Sequence, residues 1–339
     1  MRTDDFDYQL PPELIAQDPA PERSDSRLLV LERASGTLEH SRFRCIGEYL
    51  RPGDLLVANR TRVLPARLRA RRETGGLVEL MLLHAREPDV WEVMARPGRK
   101  LRPGQTLSVD RSELTATPQE RLADGTWVIK FAGISNVEEA LHSAGSIPLP
   151  PYIRDTHAPD DRYQTVYADR EGSVAAPTAG LHFTERLLAD LRAGGIGVEF
   201  VTLHVGSGTF KPVTAERVED HQMHAEWGEV PEPVAVAVNR TRAAGGRVVA
   251  VGTTSTRLLE TAWRDGTAIP FSGETDRFIY PGYEFRAIDG LVTNFHLPRS
   301  TLLMLVSAFA GKDKVLTAYR EAIRKRYRFY SFGDAMLVI

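Results

Sequence analysis

From residue 170 onward the sequence repeats one rhythm: a short apolar run, a loop of small residues, then a segment of helical period. Apolar runs at 173–176, 197–203 and 248–251 alternate with helical stretches at 185–193, 233–244 and on through Trp263, and Gly-Gly pairs at 194–195 and 245–246 end two of the helices. This alternation specifies an α/β fold, a mostly parallel sheet covered by helices. Ligands of such sheets bind beyond the carboxyl ends of the strands. Four windows fall there: 174–184 (VAAPTAGLHFT), 202–211 (TLHVGSGTFK), 252–257 (GTTSTR) and 293–301 (TNFHLPRST). Each mixes Gly, Pro, Ser and Thr, and three of the four carry a histidine, so they read as one composite pocket.

Between residues 63 and 131 the texture changes. Short β-rich runs at 64–70, 77–84, 90–94, 106–109, 114–117 and 126–131 are separated by Gly-Gly, Pro-Gly and Asp-Gly signals, which predicts a small antiparallel barrel or sandwich. Asn136 and Glu139 have the chemistry of a helix start, so a short helix at 137–143 closes this insert. The stretch SIPLPPYI (146–153) is too proline-rich to be helical and makes a return linker. The expected organisation is a discontinuous α/β domain of residues 1–59 and 148–339 with an inserted domain at 60–147. Before the insert, residues 28–31 and 37–43 flank Ala34-Ser35-Gly36 as a hairpin, and a strand spans 54–59.

Composition limits the function classes. With 339 residues, 42% of them hydrophobic, the chain has material for two cores. A net charge of −2 excludes a generically basic nucleic-acid coat, so any nucleic-acid contact must be a local patch. The single cysteine, Cys45, rules out an internal disulfide and fits a reducing compartment. The amino terminus lacks the order of a secretory signal, and the apolar run 302–310 is far short of the ~20 residues that cross a bilayer. A cytoplasmic protein without membrane contact, and with no evident obligate protein partner, is expected.

The windows carry distinct chemistry. In GTTSTR, Thr253, Thr254 and Ser255 lie between a buried strand and a helix, where free N–H groups and hydroxyls suit a carboxylate or phosphate, or simply cap the helix. It lacks the lysine of a phosphate-binding P-loop. Gly206-Ser207-Gly208 lets the chain curl around a flat or charged group beside His204, and equally fits an ordinary turn. In the first window Pro177 stops a strand, Thr178 and Gly180 shape the turn, with Gly180 permitting an unusual backbone angle, and His182 sits within it. TNFHLPRST offers Asn294, His296, Arg299 and Ser300 as a pocket floor. In EDHQMHAEW (219–227), two histidines and a carboxylate at irregular spacing fall short of a zinc-protease motif, so no metal is expected. Alternation from His224 to Val230 predicts a strand that places His224 and Glu226 on one face as an acid–base pair.

Positive charge gathers in Arg62, Arg67, Arg69 and Arg71 and again in Arg99 and Lys100. Alternate arginines in a strand share a face and can track a phosphate backbone, or form an ordinary solvated face, which charge alone slightly favours. A second cluster, Arg324-Lys325-Arg326 interleaved with Tyr327, Phe329 and Tyr330, fits either RNA contact or cations at a helix end.

Taken in order, the motifs NRTRVLPARL (59–68), PLPPYI (148–153), YQTVYA (163–168), the four windows, EDHQMHAEW, FIYPGYEF (278–285) and LVTNFHLPRSTLLMLVSAFAG (291–311) form a set that resembles the S-adenosylmethionine:tRNA ribosyltransferase-isomerase family of queuosine biosynthesis, over essentially the full chain. The resemblance implies an α/β domain interrupted by a β-barrel. It implies transfer of the ribosyl part of S-adenosylmethionine onto 7-aminomethyl-7-deazaguanine at the tRNA wobble position, giving epoxyqueuosine, adenine and methionine. Partners are then S-adenosylmethionine and tRNA with a queuosine-precursor wobble base. There is no resident cofactor, because S-adenosylmethionine is consumed. Fitted to that chemistry, His182, His204, His221, His224, Glu226 and His296 are the acid–base candidates. Substrate contacts fall to Thr178, Gly180, Ser207, Gly208, Thr209, Thr253, Thr254, Ser255, Arg257, Asn294 and Arg299. Arg60 and Arg277 depart from the family's pattern and are given no family role.

Overall fold

The computed structural model describes residues 1–154, 156–206, 208 and 213–339. In chain order the strands are β1 (Arg27–Leu31), β2 (Leu38–Arg42), β3 (Leu55–Asn59), β4 (Thr61–Val63), β5 (Arg67–Arg72), β6 (Leu77–Glu87), β7 (Val90–Arg96), β8 (Leu107–Val109), β9 (Thr115–Arg121), β10 (Trp127–Ala132), β11 (Arg170–Ser173), β12 (Gly197–Leu203), β13 (Glu226–Val230), β14 (Val248–Val251), β15 (Trp263–Arg264), β16 (Thr267–Ala268), β17 (Phe271–Thr275), β18 (Gly290–Asn294) and β19 (Ala335–Val338). The helices are α1 (Val137–Ala144), α2 (Glu185–Ala193), α3 (Glu232–Ala243), α4 (Gly252–Ala262), α5 (Thr301–Ala310) and α6 (Lys312–Arg324).

The chain divides into two units. One comprises Met1–Arg62, Pro151–Arg170 and Ala176–Ile339; the other comprises Val63–Pro150 and Glu171–Ala175. The domain bounds expected from sequence were 59/60 and 147/148.

The larger unit is built on a nine-stranded sheet in the order β17-β13-β12-β3-β14-β18-β19-β1-β2. The expectation of a mostly parallel sheet needs correction, because the sheet is mixed. β12-β3, β3-β14, β14-β18 and β19-β1 are parallel, whereas β17-β13, β13-β12, β18-β19 and β1-β2 are antiparallel. The four contiguous strands β12, β3, β14 and β18 are the parallel block, and hairpin-like returns add the antiparallel margins. β3, β14, β18 and β19 are buried along their whole length, as strands covered on both faces must be. β2, at one edge, is polar and largely exposed, which discourages pairing with another chain. The core under one face joins Leu28, Leu56, Val249, Val251 and Val292 to Leu187, Leu188 and Leu191 of α2. Thr184 caps α2 by accepting from the Leu187 N–H. α5 is apolar all round and buried, a core helix of ten residues. No helix among the described residues is long and apolar enough to cross a membrane.

The smaller unit is a closed antiparallel barrel in the order β10-β7-β6-β5-β8-β9. Alternation fills it: Leu68 and Ala70 of β5, Val78, Leu80 and Leu82 of β6, and Ile129 and Phe131 of β10 point inward. Asn136 caps α1 as its chemistry predicts, accepting from Glu139 N. The strand expected at 173–176 lies instead at Arg170–Ser173, and Pro177 closes the segment that follows.

Candidate active site

The parallel block sets the site. Register aligns Val201 with Asn59, Ala58 with Val251, and Val251 with Val292, so four strands end together. The first, third and fourth windows and His204 and Gly206 of the second emerge at this edge; Ser207, Thr209, Phe210 and Lys211 lie outside the described residues.

The first and fourth windows are hydrogen-bonded to each other. The Thr178 hydroxyl donates to Asn294 Oδ1 at 2.9 Å, and Asn294 Nδ2 donates to the Tyr330 carbonyl at 3.2 Å. With the amide fixed in this way, Nδ2 faces His182 Nε2 at 3.2 Å, so that nitrogen accepts. His182 Nδ1 is then the protonated nitrogen, directed at Ser26 Oγ 2.8 Å away. Burial pushes the His182 pKa down to about 4, and the ring is neutral with both nitrogens taken. His296 is also neutral: burial takes it to about 3, and Nε2 meets Thr293 Oγ1 at 2.7 Å.

His204 differs from both. It is half-buried and its Nδ1 lies 2.8 Å from Thr61 Oγ1. The Thr61 hydroxyl has an acceptor in the Arg170 carbonyl at 3.4 Å, which makes Nδ1–H the donor and leaves the lone pair on Nε2. No described residue occupies Nε2. Its ring stacks on Trp227 at 5.2 Å and 19°, and burial lowers its pKa below the ordinary value.

The second and third windows are tied by a buried ion pair. Glu226 accepts from the Gly206 N–H at 2.9 Å and from Arg257 Nη1 at 2.5 Å. Arg257 also donates to the carbonyls of Arg277 at 3.0 Å and Thr275 at 3.3 Å. The expected His224–Glu226 pair on one strand face is therefore corrected. β13 begins only at Glu226, where pairing with Thr275 starts, and His224 lies outside it, exposed. His224 instead packs against Gly208, where an added Cβ would meet its ring at 2.4 Å. His221 sits edge-on to Phe278 at 5.3 Å, its pKa lowered by burial and by His224.

GTTSTR is corrected too: it is not a loop but the first turns of α4. Gly252, at φ +89°, turns the chain straight from β14 into the helix. Ser255 and Thr256 then donate back to the Val251 and Gly252 carbonyls at 2.9 and 3.1 Å, spending the Ser255 hydroxyl inside the helix. Thr253 is buried. Thr254 Oγ1 is buried without a partner among the described residues. Arg299 turns outward at φ +56° to Asp4 (3.6 Å) and Asp7 (3.9 Å), and Ser300 caps α5. Gly180 needs space rather than a special backbone angle: its φ is not positive, but a Cβ there would meet Tyr167 Oη at 2.1 Å.

That contact exposes groups the sequence reading did not single out. Tyr167 Oη and Thr165 Oγ1 are buried with no hydrogen-bond partner among the described residues, and both side chains crowd Gly180. Thr254 Oγ1 approaches the same turn, since a Cβ added at Gly252 would meet both Ala179 Cβ and Thr254 Oγ1 at 3.6 Å. Buried hydroxyls are almost always satisfied, so three around one turn without a partner among the described residues stand out. The YQTVYA motif pointed to the segment, but orphaning is visible only in three dimensions.

On the barrel, Arg67 pairs with Glu79 at 2.5 Å and Arg71 with Asp110 at 3.0 Å. Arg69, Arg99 and Lys100 are exposed and pair with no carboxylate among the described residues. Arg62 reaches the Ala168 carbonyl at 3.4 Å. In the second basic cluster Tyr327, Phe329 and Tyr330 are buried core, and only the cations face outward.

A family model described as "Queuosine biosynthesis protein" matches residues 3–338. The chain is similar to S-adenosylmethionine:tRNA ribosyltransferase-isomerases from Moorella thermoacetica (55% identical), Symbiobacterium thermophilum (54%) and Thermotoga maritima (52%), each covering 100% of both chains. It is also similar to the crystal structure of an S-adenosylmethionine tRNA ribosyltransferase from Thermotoga maritima, with a TM-score of 0.58 and 43% identity over 99% of this chain and 100% of that one.

Proposed function

The chain belongs to the queuosine-biosynthesis family of S-adenosylmethionine:tRNA ribosyltransferase-isomerases, and from that premise we propose how its strand-end site works. The enzyme moves the ribosyl part of S-adenosylmethionine onto the aminomethyl group of 7-aminomethyl-7-deazaguanine at the tRNA wobble position, forms epoxyqueuosine, and releases adenine and methionine. The sulfonium acidifies the adjoining 5′ carbon. Loss of a proton there begins a sequence of ring opening with departure of adenine, attack by the amine, and epoxide closure that expels methionine. S-adenosylmethionine is spent as a substrate, and the sulfonium supplies the activation, so the reading includes no resident cofactor or metal. A tRNA substrate places the protein in the cytoplasm.

His204 is the general base. The observation that carries this role is its geometry: Thr61 holds Nδ1, Nε2 keeps an unoccupied lone pair, and a lowered pKa keeps the ring neutral near pH ~7. The exposed face of Trp227 beside it offers a flat surface to a purine. His182, with both ring nitrogens committed, and His296, buried with Nε2 on Thr293, position Asn294 and Thr293 rather than move protons. His224, against Gly208, and His221, against Phe278, form the second acid–base group on the side of the leaving adenine. Tyr167, Thr165, Thr178, Thr254 and Asn294 supply polar contacts to the donor, and Gly180 and Gly208 let it approach. Ser255, Arg257 and Arg299 spend their polar groups on the protein and hold the site's shape, with Glu226 as the tie. Arg69, Arg99 and Lys100 are the barrel's tRNA contacts.

The test is His204→Ala. It should lower turnover by ~10²-fold or more while tRNA and S-adenosylmethionine binding persist. Unchanged turnover would remove His204 as the base.

A further inference from the structure

The large unit contains a second concavity that the reaction chemistry does not use. It is an open basin of about 480 Å³ lined by Arg27, His40, Ser41, Arg42, Cys45, Lys325 and Tyr327. Three of these seven are permanent cations and none is a carboxylate. Arg27 is structural: Asp334 holds its Nε at 3.0 Å, and its guanidinium lies 4.2 Å over the Tyr327 ring. His40 is also committed, with Nδ1 2.8 Å from the Tyr327 hydroxyl and Nε2 3.3 Å from Glu321, whose carboxylate Arg324 also holds at 2.7 Å. The charge left over belongs to Arg42 and Lys325. Arg42 donates to the Asp25 backbone carbonyl at 2.8 Å and pairs with no carboxylate, and Lys325 is exposed with no ion pair among the described residues. Arg326, next in sequence, is likewise exposed.

The basin is on the site's own edge of the sheet. Register runs from Asn294 to Ala335, from Ala335 to Leu28, and from Arg27 to Arg42. Ser26, whose hydroxyl meets His182 Nδ1, is the residue before Arg27. A polyanion whose reacting end lies in the strand-end site therefore passes along the edge where Arg42 and Lys325 stand unpaired.

We propose that this basin binds a backbone phosphodiester of the RNA substrate, with Arg42 and Lys325 as the cations and the Ser41 hydroxyl as a further donor. The proposal rests on the reading of tRNA as substrate and adds a contact on the sheet unit, separate from the barrel's arginines.

Cys45 lines the basin and is the chain's only cysteine, so its alkylation by N-ethylmaleimide reports occupancy in the unaltered protein. Unmodified tRNA should slow labelling several-fold at low salt, and added salt should restore it. Arg42→Ala/Lys325→Ala should lose that protection and raise the KM for tRNA roughly tenfold, with kcat and S-adenosylmethionine affinity unchanged and a shallower dependence of log KM on log salt. The proposal is overturned by tRNA bound in a gel shift with no protection of Cys45, or by an unchanged KM and salt slope in the double variant. Inorganic phosphate protecting Cys45 as fully as tRNA, with the variant's KM unchanged, would assign the basin to a small free anion and also overturn it. Protection and gel shift are read without turnover, so failure of the ribosyl-transfer reading, seen as no adenine release by the wild type, remains distinguishable.

Discussion

Tyr167 shows how a single atom separates structural from functional need. A buried hydroxyl without a partner costs stability, so Tyr167→Phe should leave the melting temperature unchanged or raise it. If a substrate group completes that hydroxyl, the same change lowers kcat/KM for S-adenosylmethionine by roughly tenfold, about one hydrogen bond. Steady-state kinetics beside thermal melting decide it; a loss of stability with unchanged kinetics would make Tyr167 purely structural. The buried histidines give a second prediction. Unfolded, His182 and His296 take up protons near pH ~6.5, whereas folded they do so only at about 4 and about 3. The unfolded state thus binds more protons across that interval. Stability is full above pH ~6.5 and falls as the pH drops toward those folded values. Melting at about pH 7 and about pH 5 should show a lower Tm at the lower pH, with a smaller drop in His182→Gln. A Tm independent of pH over that range would contradict their burial as neutral rings.

At the scale of elements, the Glu226–Arg257 pair joins β13 to α4 and so holds the second and third windows together. Both side chains are at most 7% exposed, and removing one partner leaves a buried charge unpaired. Arg257→Met should therefore cost ~3–5 kcal/mol in denaturant unfolding, and Glu226→Gln in the same chain should recover part of it. A loss below ~1 kcal/mol would show that water reaches the pair. Local signals made some elements legible and left others hidden. α2 runs from Glu185 to Ala193 as its Thr184 cap and Gly194-Gly195 end predict, and β12 spans its apolar run without a shift. α4 was misread because Gly and four hydroxyl residues look like a loop; the back-bonds from Ser255 and Thr256 that make them helical carry no sequence signature. The mixed sheet was missed for a related reason. Alternation reports which face a residue takes, not which direction the neighbouring strand runs, so the expected strand at β13 gave no sign of its antiparallel pairing, and no strand was expected at β17 or β19.

For the whole molecule, the strand-end location of the site was legible because small residues and histidines follow buried strands. The division of labour among the histidines was not, because it depends on Thr61, Ser26 and Asn294 arriving from elsewhere in the chain. On the proposed reading that division suits ribosyl transfer: the buried neutral rings of His182 and His296 shape the floor while His204 keeps an open ring nitrogen. A conventional methyltransferase would use the same donor and release a different product. The most direct test is therefore to incubate the protein with S-adenosylmethionine and tRNA bearing the 7-aminomethyl-7-deazaguanine wobble base and to quantify small-molecule products against modified tRNA. Ribosyl transfer predicts adenine and methionine in equal amounts, matching epoxyqueuosine formed; S-adenosylhomocysteine with a methylated tRNA would contradict it.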